Sequence, residues 1–393
     1  CAIEDRSSTQ DNIMPFKVKR DAVFESQENF NQGKEVHSRK SRSASETKSF
    51  IFLDNRSGKS AKLYWRDVKT TVPARYYRSL AAGQTLGLNT YNNHEWSAKD
   101  VLGKALMLNG QPTIIQKQNT EANRSIILIS NPGQRNTDIG DRYIEIMVVL
   151  DKAAVDKHRN DEEVKRYILT YLKLATSILQ HKDLTKLGIR LHLVLSKLVL
   201  LRRDFSELKL DPAIRENNLR KVCAYMNKIG NSGSKRYDHK LFLTKNDFGM
   251  GGYANTRGLC SQYSSCSMVY DHGFTASFLV AHELAHTYGL DDHDFGQRSG
   301  YVMSFMVDAR FDAHRWSTYS QISTLANIRK YSCIKNRPVR LQNLPLLDKY
   351  PGVHYSLTRQ CQLEYDENYS AFTSRLISAD PCEKLRCRMP PPY

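Results

Sequence analysis

The hydrophobic pattern changes character three times along the chain. Residues 1–48 are polar, rich in Ser, Gln, Asn, Lys and Arg, and show no apolar period, which predicts a disordered basic and polar leader. From residue 49, short apolar runs recur between Gly, Asn and Ser turns. They include Phe50-Ile51-Phe52-Leu53, Ala61-Lys62-Leu63-Tyr64-Trp65, Gln84-Thr85-Leu86-Gly87-Leu88, Ala105-Leu106-Met107-Leu108 and Thr113-Ile114-Ile115. Runs of this length and spacing predict an all-β sandwich over 49–130. Pro132 and Gly133 mark a linker over 131–141.

Beyond the linker, strand and helix patterns alternate. Tyr143–Leu150 reads as an apolar strand, and Asp161–Gln180 sets Val164, Ile168, Tyr171, Leu172 and Ala175 on one helical face. Ile189–Leu201 reads as a strand or strand pair, Asp211–Lys228 as a helix and Lys240–Thr244 as a strand. Ser267–Asp271 reads as an edge strand, followed by helices over Phe274–Gly289 and about Ser317–Tyr331. The alternation predicts an α/β domain over 142–337 with a largely parallel sheet. A small cysteine-bearing segment, 338–393, completes a multidomain chain.

The 393 residues give room for two or three domains. The net charge of +17 is spread over clusters such as Lys17-Val18-Lys19-Arg20, Arg39-Lys40-Ser41-Arg42 and Arg202-Arg203. Such charge suits anionic partners such as sulfated glycans, and no nucleic-acid module accompanies it. No apolar run reaches transmembrane length, so no transmembrane anchor is expected. No signal peptide is visible, and a start at Cys1 reads as a fragment or processed form. Of eight cysteines, seven lie at or after Cys223 and none falls between residues 2 and 222. That split predicts a secreted, disulfide-bonded C-terminal part joined to an N-terminal part built without disulfides. Asn55, Asn123 and Asn368 begin glycosylation triplets.

The sharpest chemistry is His282-Glu283-Leu284-Ala285-His286, directly after the apolar run Ala276–Ala281. On a helix, positions i and i+4 share a face, so His282 and His286 can offer imidazole nitrogens to one zinc ion. Glu283 is then placed to deprotonate a water on that zinc and to pass the proton to a leaving amine. Gly289 follows three residues after the second His, where a helix stops. Asp292 and His293 come next, and Met303 precedes a turn.

Helix, glycine stop, further ligand and Met-turn together resemble the metzincin pattern. There the third ligand is a His three residues after the Gly. Asp292 occupies that place and His293 follows it. Either Asp292 binds through oxygen, or one residue is inserted and His293 is the ligand; a weakened site is the remaining outcome. The half from about 140 to 388 resembles the ADAMTS proteases, disintegrin-like metalloproteases with thrombospondin motifs. The resemblance rests on Arg142-Tyr143-Ile144-Glu145, Asp238–Thr244, Gly258-Leu259-Cys260, Ser265-Cys266-Ser267, Val302-Met303-Ser304 and Trp316-Ser317. It implies an α/β metzincin catalytic domain over 142–337, Met303 beneath the zinc, and a structural calcium ion at Glu145, Cys333 and Asn336. It also implies that 338–393, with Cys361, Cys382 and Cys387, opens a disintegrin-like module.

Residues 49–130 resemble the β-domain of the von Hippel–Lindau protein. The resemblance lies in Asn55-Arg56-Ser57, Tyr64-Trp65, Tyr77 and Asn89–Trp96. It implies a pocket for a hydroxyproline peptide lined by Trp65, Tyr77, Thr90, Tyr91, His94 and Trp96. Aromatic walls suit a pyrrolidine ring, while a hydroxyl and an imidazole suit its OH. The expectation is a secreted zinc metalloendopeptidase acting on extracellular polypeptides. The alternative is a hydroxyproline-peptide binding module joined to an inactive metzincin-like domain, or two genes joined in one sequence.

Overall fold

The computed structural model describes residues 47–119, 124–133, 139–230, 237–292, 300–304, 314–338, 351–372 and 385–389. The expected leader, except its last two residues, lies outside these. Residues 47–133 fall in one compact unit and residues 139–389 in another.

Among its described residues, the first unit's regular elements are strands alone. They are β1 (Lys48–Asn55), β2 (Ala61–Asp67), β3 (Arg75–Leu80), β4 (Thr85–Tyr91), β5 (His94–Lys99), β6 (Ala105–Leu108), β7 (Thr113–Ile115) and β8 (Ser125–Ser130). Their order is β3-β2-β5-β6-β8-β1-β4, with β7 on β5. Alternate residues along each strand share a face. Ile51/Leu53, Ala61/Leu63, Trp96/Ala98, Leu106/Leu108 and Ile127/Ile129 therefore meet in one core. The sequence reading missed β3 and β5. The first has exposed Tyr76 and Tyr77 and turns only Leu80 inward. The second buries only Trp96 and Ala98.

The second unit carries β9 (Gly140–Leu150), α1 (Lys152–Val155), α2 (Asp161–Leu179), α3 (Lys182–Thr185), β10 (Ile189–Leu200), α4 (Arg215–Gly230), β11 (His239–Thr244), β12 (Gly252–Ala254) and β13 (Cys266–Tyr270). α5 (Ala276–Thr287), α6 (Thr318–Asn327), α7 (Pro351–His354), α8 (Leu357–Glu364), β14 (Ser370–Phe372) and β15 (Arg386–Arg388) follow. The sheet order is β10-β9-β11-β13-β12. The first four strands run parallel, and β12 runs antiparallel to β13. β9 is buried continuously from Ile146 to Leu150, as expected of a parallel strand covered on both faces.

Two expectations need correction. The strand at Cys266–Tyr270 is interior, and β12 holds the edge. β12 escaped notice because it is three residues long and begins with a glycine. The α4 helix starts at Arg215 rather than Asp211. The Asn218 side chain donates to Asp211 O at 2.7 Å and accepts from Asp211 N at 3.0 Å, so it holds the preceding residues in a turn. Disulfides join Cys223 to Cys266, Cys260 to Cys333 and Cys361 to Cys387; Cys1 and Cys382 lie outside the described residues. No described helix is long and apolar enough to cross a membrane.

Candidate active site

Helix α5 runs behind the sheet edge with almost every side chain buried, including His282, Glu283 and His286. Three ionisable groups at this depth need partners. Each imidazole Nδ1 lies 2.7 Å from a backbone carbonyl, that of Val302 for His282 and that of Leu290 for His286. A carbonyl oxygen only accepts, so both Nδ1 atoms carry the hydrogen and both Nε2 atoms face inward. These two Nε2 atoms are 3.0 Å apart. Asp292 Oδ1 sits 3.2 Å from one and 3.4 Å from the other.

Two imidazole nitrogens and a carboxylate oxygen thus converge at one point. Without a cation or a proton between them, lone pairs would face lone pairs. Burial works against charge on His282, but Asp292 overcomes it and takes the imidazole up to about 9. Burial would raise Asp292, but the two imidazoles hold its carboxyl well below the usual carboxylate range. A tetrahedral ion with bonds of about 2.0–2.1 Å separates its ligand atoms by roughly 3.3 Å. The observed separations and the N,N,O donor set fit zinc.

The surrounding turns set this geometry. Gly289 takes φ +97°, ending α5 and bringing the Leu290 carbonyl to His286. The turn at 301–304 is closed by Ser304, whose N–H and hydroxyl both donate to Tyr301 O at 3.1 and 2.7 Å. This turn presents the Val302 carbonyl to His282 and buries Met303. Donor atoms of Glu283, His282 and His286 all lie within 4.8 Å of one another. Glu283 packs on β12. A Cβ added at Gly252 would come within 2.5 Å of Glu283 Oε1. The structure places Asp292 among the expected ligands, while His293 lies outside the described residues.

Residues 140–334 match the model of metallo-peptidase family M12. This part of the chain belongs to that family. Human "A disintegrin and metalloproteinase with thrombospondin motifs 2" is 31% identical over 269 residues, 65% of this chain and 22% of the relative. Human "A disintegrin and metalloproteinase with thrombospondin motifs 3" is 30% identical over 269 residues, with the same coverage. Number 1 from Bombyx mori is 28% identical over 262 residues, 62% of this chain and 25% of the relative. The chain therefore spans about a fifth to a quarter of the length of these relatives.

The M12 domain also gathers the expected calcium residues. Asn336 Nδ2 lies 3.4 Å from Glu145 Oε2, and Ser196 donates to Glu145 Oε1 at 3.0 Å. The sequence reading missed Asp238, whose Oδ2 accepts from Glu145 N at 2.9 Å. Burial and then the Glu145 charge push Asp238 up to about 6, against that hydrogen bond. Cys333 joins the group through Cys260, whose N–H donates to Asp238 O at 3.2 Å.

In the all-β unit, the six residues expected to line a pocket form one connected cluster. Trp65 stacks on His94 at 4.4 Å, and Tyr91 meets the same imidazole edge-on at 5.4 Å. Trp96 Nε1 donates to Thr90 Oγ1 at 3.2 Å, and that hydroxyl lies 3.0 Å from His94 Nδ1. Tyr77 closes on Trp96 at 5.4 Å and remains exposed.

Proposed function

We propose that the chain is a zinc-dependent metalloendopeptidase acting on extracellular polypeptides. The observation that carries this reading is the convergence of His282 Nε2, His286 Nε2 and Asp292 Oδ1 within 3.4 Å. His282, His286 and Asp292 would hold the ion; His293, the other candidate for the third place, lies outside the described residues. When bound, zinc lowers the pKa of a water towards neutrality and polarises a carbonyl. Glu283, beside the imidazole pair, takes the proton of the attacking water and delivers it to the departing amine. The carbonyls of Val302 and Leu290 fix the imidazole tautomers, and so keep Nε2 available. Met303, buried in the turn that carries Val302, underlies the site. β12, at the edge of the sheet next to Glu283, offers backbone groups to an extended substrate strand.

Three disulfides in this unit support a secreted protein. Glu145, Asp238, Asn336 and the Cys333 carbonyl would hold a structural calcium through oxygen donors. The division into a β-sandwich, an α/β metzincin domain over 142–337 and the start of a disintegrin-like module belongs to the same reading. The net charge of +17 suits an anionic glycan partner. The competing reading, a hydroxyproline-peptide module joined to an inactive metzincin-like domain, is favoured by the Thr90–His94–Trp65 cluster.

Metal analysis of the purified chain, together with Glu283→Gln, tests the enzyme. One zinc per chain is expected in both proteins, with proteolysis lost only in the variant. Absence of zinc from the parent, or full activity in the variant, refutes the mechanism.

A further inference from the structure

The helix that carries His282 and Glu283 has no side-chain cap of its own. Thr275 stands at the N-cap of α5 and makes no side-chain bond to that helix. A 3-10 turn, Gly273–Thr275, leads into α5: Ala276 N–H donates to Gly273 O, and Asp271 Oδ1 accepts from Gly273 N–H at 3.1 Å. The Thr275 side chain at this junction is held from far away in sequence. Glu364, the last residue of α8, brings Oε2 to 2.7 Å and Oε1 to 3.0 Å from Thr275 Oγ1. That hydroxyl also lies 2.7 Å from His272 O, so its single proton is shared.

The fit of α8 against this turn is close. Gly273 takes φ +64°, and a Cβ there would meet Glu364 N at 3.0 Å. Lys245 Nζ donates to the final carbonyls of α8, to Leu363 O at 2.7 Å and Glu364 O at 3.4 Å. Phe274 packs edge-on against Tyr355 at 4.9 Å. At the other end of α8, Arg359 pairs with Glu163 at 3.0 Å and donates to Lys157 O at 2.7 Å.

We propose that Glu364 is a positioning residue for the zinc helix: the C-terminal segment supplies the carboxylate that holds Thr275, at the junction where α5 begins. His282 follows Thr275 by seven residues, about two helical turns, so a shift at the start is carried to the ligands. The proposal rests on the metalloprotease reading for its consequence in catalysis, but not for the brace itself.

The test uses the full chain with Glu364→Ala, Glu364→Gln and Arg359→Ala. Amide exchange over residues 276–282 is measured in metal-free protein, then zinc release to a chelator, then kcat and KM on a peptide. Glu364→Ala should exchange about tenfold faster over 276–282, the scale of a lost hydrogen bond to a charged acceptor. It should also release zinc faster and lower kcat with KM unchanged. Glu364→Gln, which keeps an oxygen acceptor for Thr275, should recover most of each effect. Arg359→Ala should lower Tm without the local change in exchange. Parent-like exchange in Glu364→Ala, or the same exchange pattern in Arg359→Ala, overturns the proposal. If the parent neither binds zinc nor cleaves peptide, the proposed function fails, and exchange alone decides on Glu364.

Discussion

Gly252→Ala is expected to damage proteolysis while sparing the metal. The three heavy atoms nearest to a Cβ at this position all belong to Glu283: Oε1 at 2.5 Å, Cγ at 2.7 Å and Cδ at 2.9 Å. Ordinary contact begins at 3.4 Å, so the carboxylate must retreat by 3.4 − 2.5, about 0.9 Å, or β12 must move. The backbone at Gly252 is not in the left-handed region, so alanine brings no strain of its own. A displacement of about 1 Å in a catalytic group costs roughly a hundredfold in rate, or about 2.7 kcal/mol in barrier. kcat/KM on a fluorogenic peptide, zinc per chain and Tm are the three measurements. The expected result is a fall of about a hundredfold with zinc retained. A variant within about threefold of the parent, at equal zinc content, refutes both the general-base role and the contact that enforces it.

Asp292→Ala should lose zinc far more readily than His293→Ala, since Asp292 Oδ1 already faces both imidazoles. Equal retention, read by competition with a chelator, would show that neither residue coordinates. Asp238 is raised by burial from 3.8 to about 6, so the native state holds its proton more tightly than the unfolded chain does. Its contribution is present at low pH and is lost as pH rises from about 4 to 6, with more protons on the native state. A calcium ion shared with Glu145 would relieve this, so calcium should raise Tm more at about pH 6.5 than at about pH 4.5. Equal gains at both would count against the site. The β unit should prefer a hydroxyproline peptide to its proline twin, and Thr90→Val with His94→Ala should abolish that preference. Equal calorimetric affinities in the parent would leave the cluster as packing only.

Chemistry close in sequence was legible; chemistry assembled across the fold was not. His282 and His286 occupy one helical face by spacing alone, with Glu283 next to the first, and the distance from Gly289 left Asp292 and His293 as candidates for the third place. The partners that orient the imidazoles are backbone carbonyls at Val302 and Leu290, and no residue type announces a carbonyl. Gly252 resembles any other glycine until Glu283 is seen against it. Asp238 opens the strand motif Asp238–Thr244, but its meaning depends on Glu145, 93 residues earlier. The long strands β9 and β10 were visible as apolar runs. β12, with three residues, offered no run to detect.

The Cys260–Cys333 bridge joins residues 73 apart in sequence. His282, Glu283, His286, Asp292 and Met303 all lie between them, so the whole proposed metal centre sits on one covalent ring. Closing a ring of this size removes roughly 4 kcal/mol of unfolded-chain entropy in the loop-closure model. A single backbone cut inside the ring would leave one molecule rather than two fragments, heavier only by the water of hydrolysis, and the pieces would part only once the disulfide is reduced. For the proposed protease, exposed to its own activity, a nick and a thiol reductant would have to act together to separate the ligands.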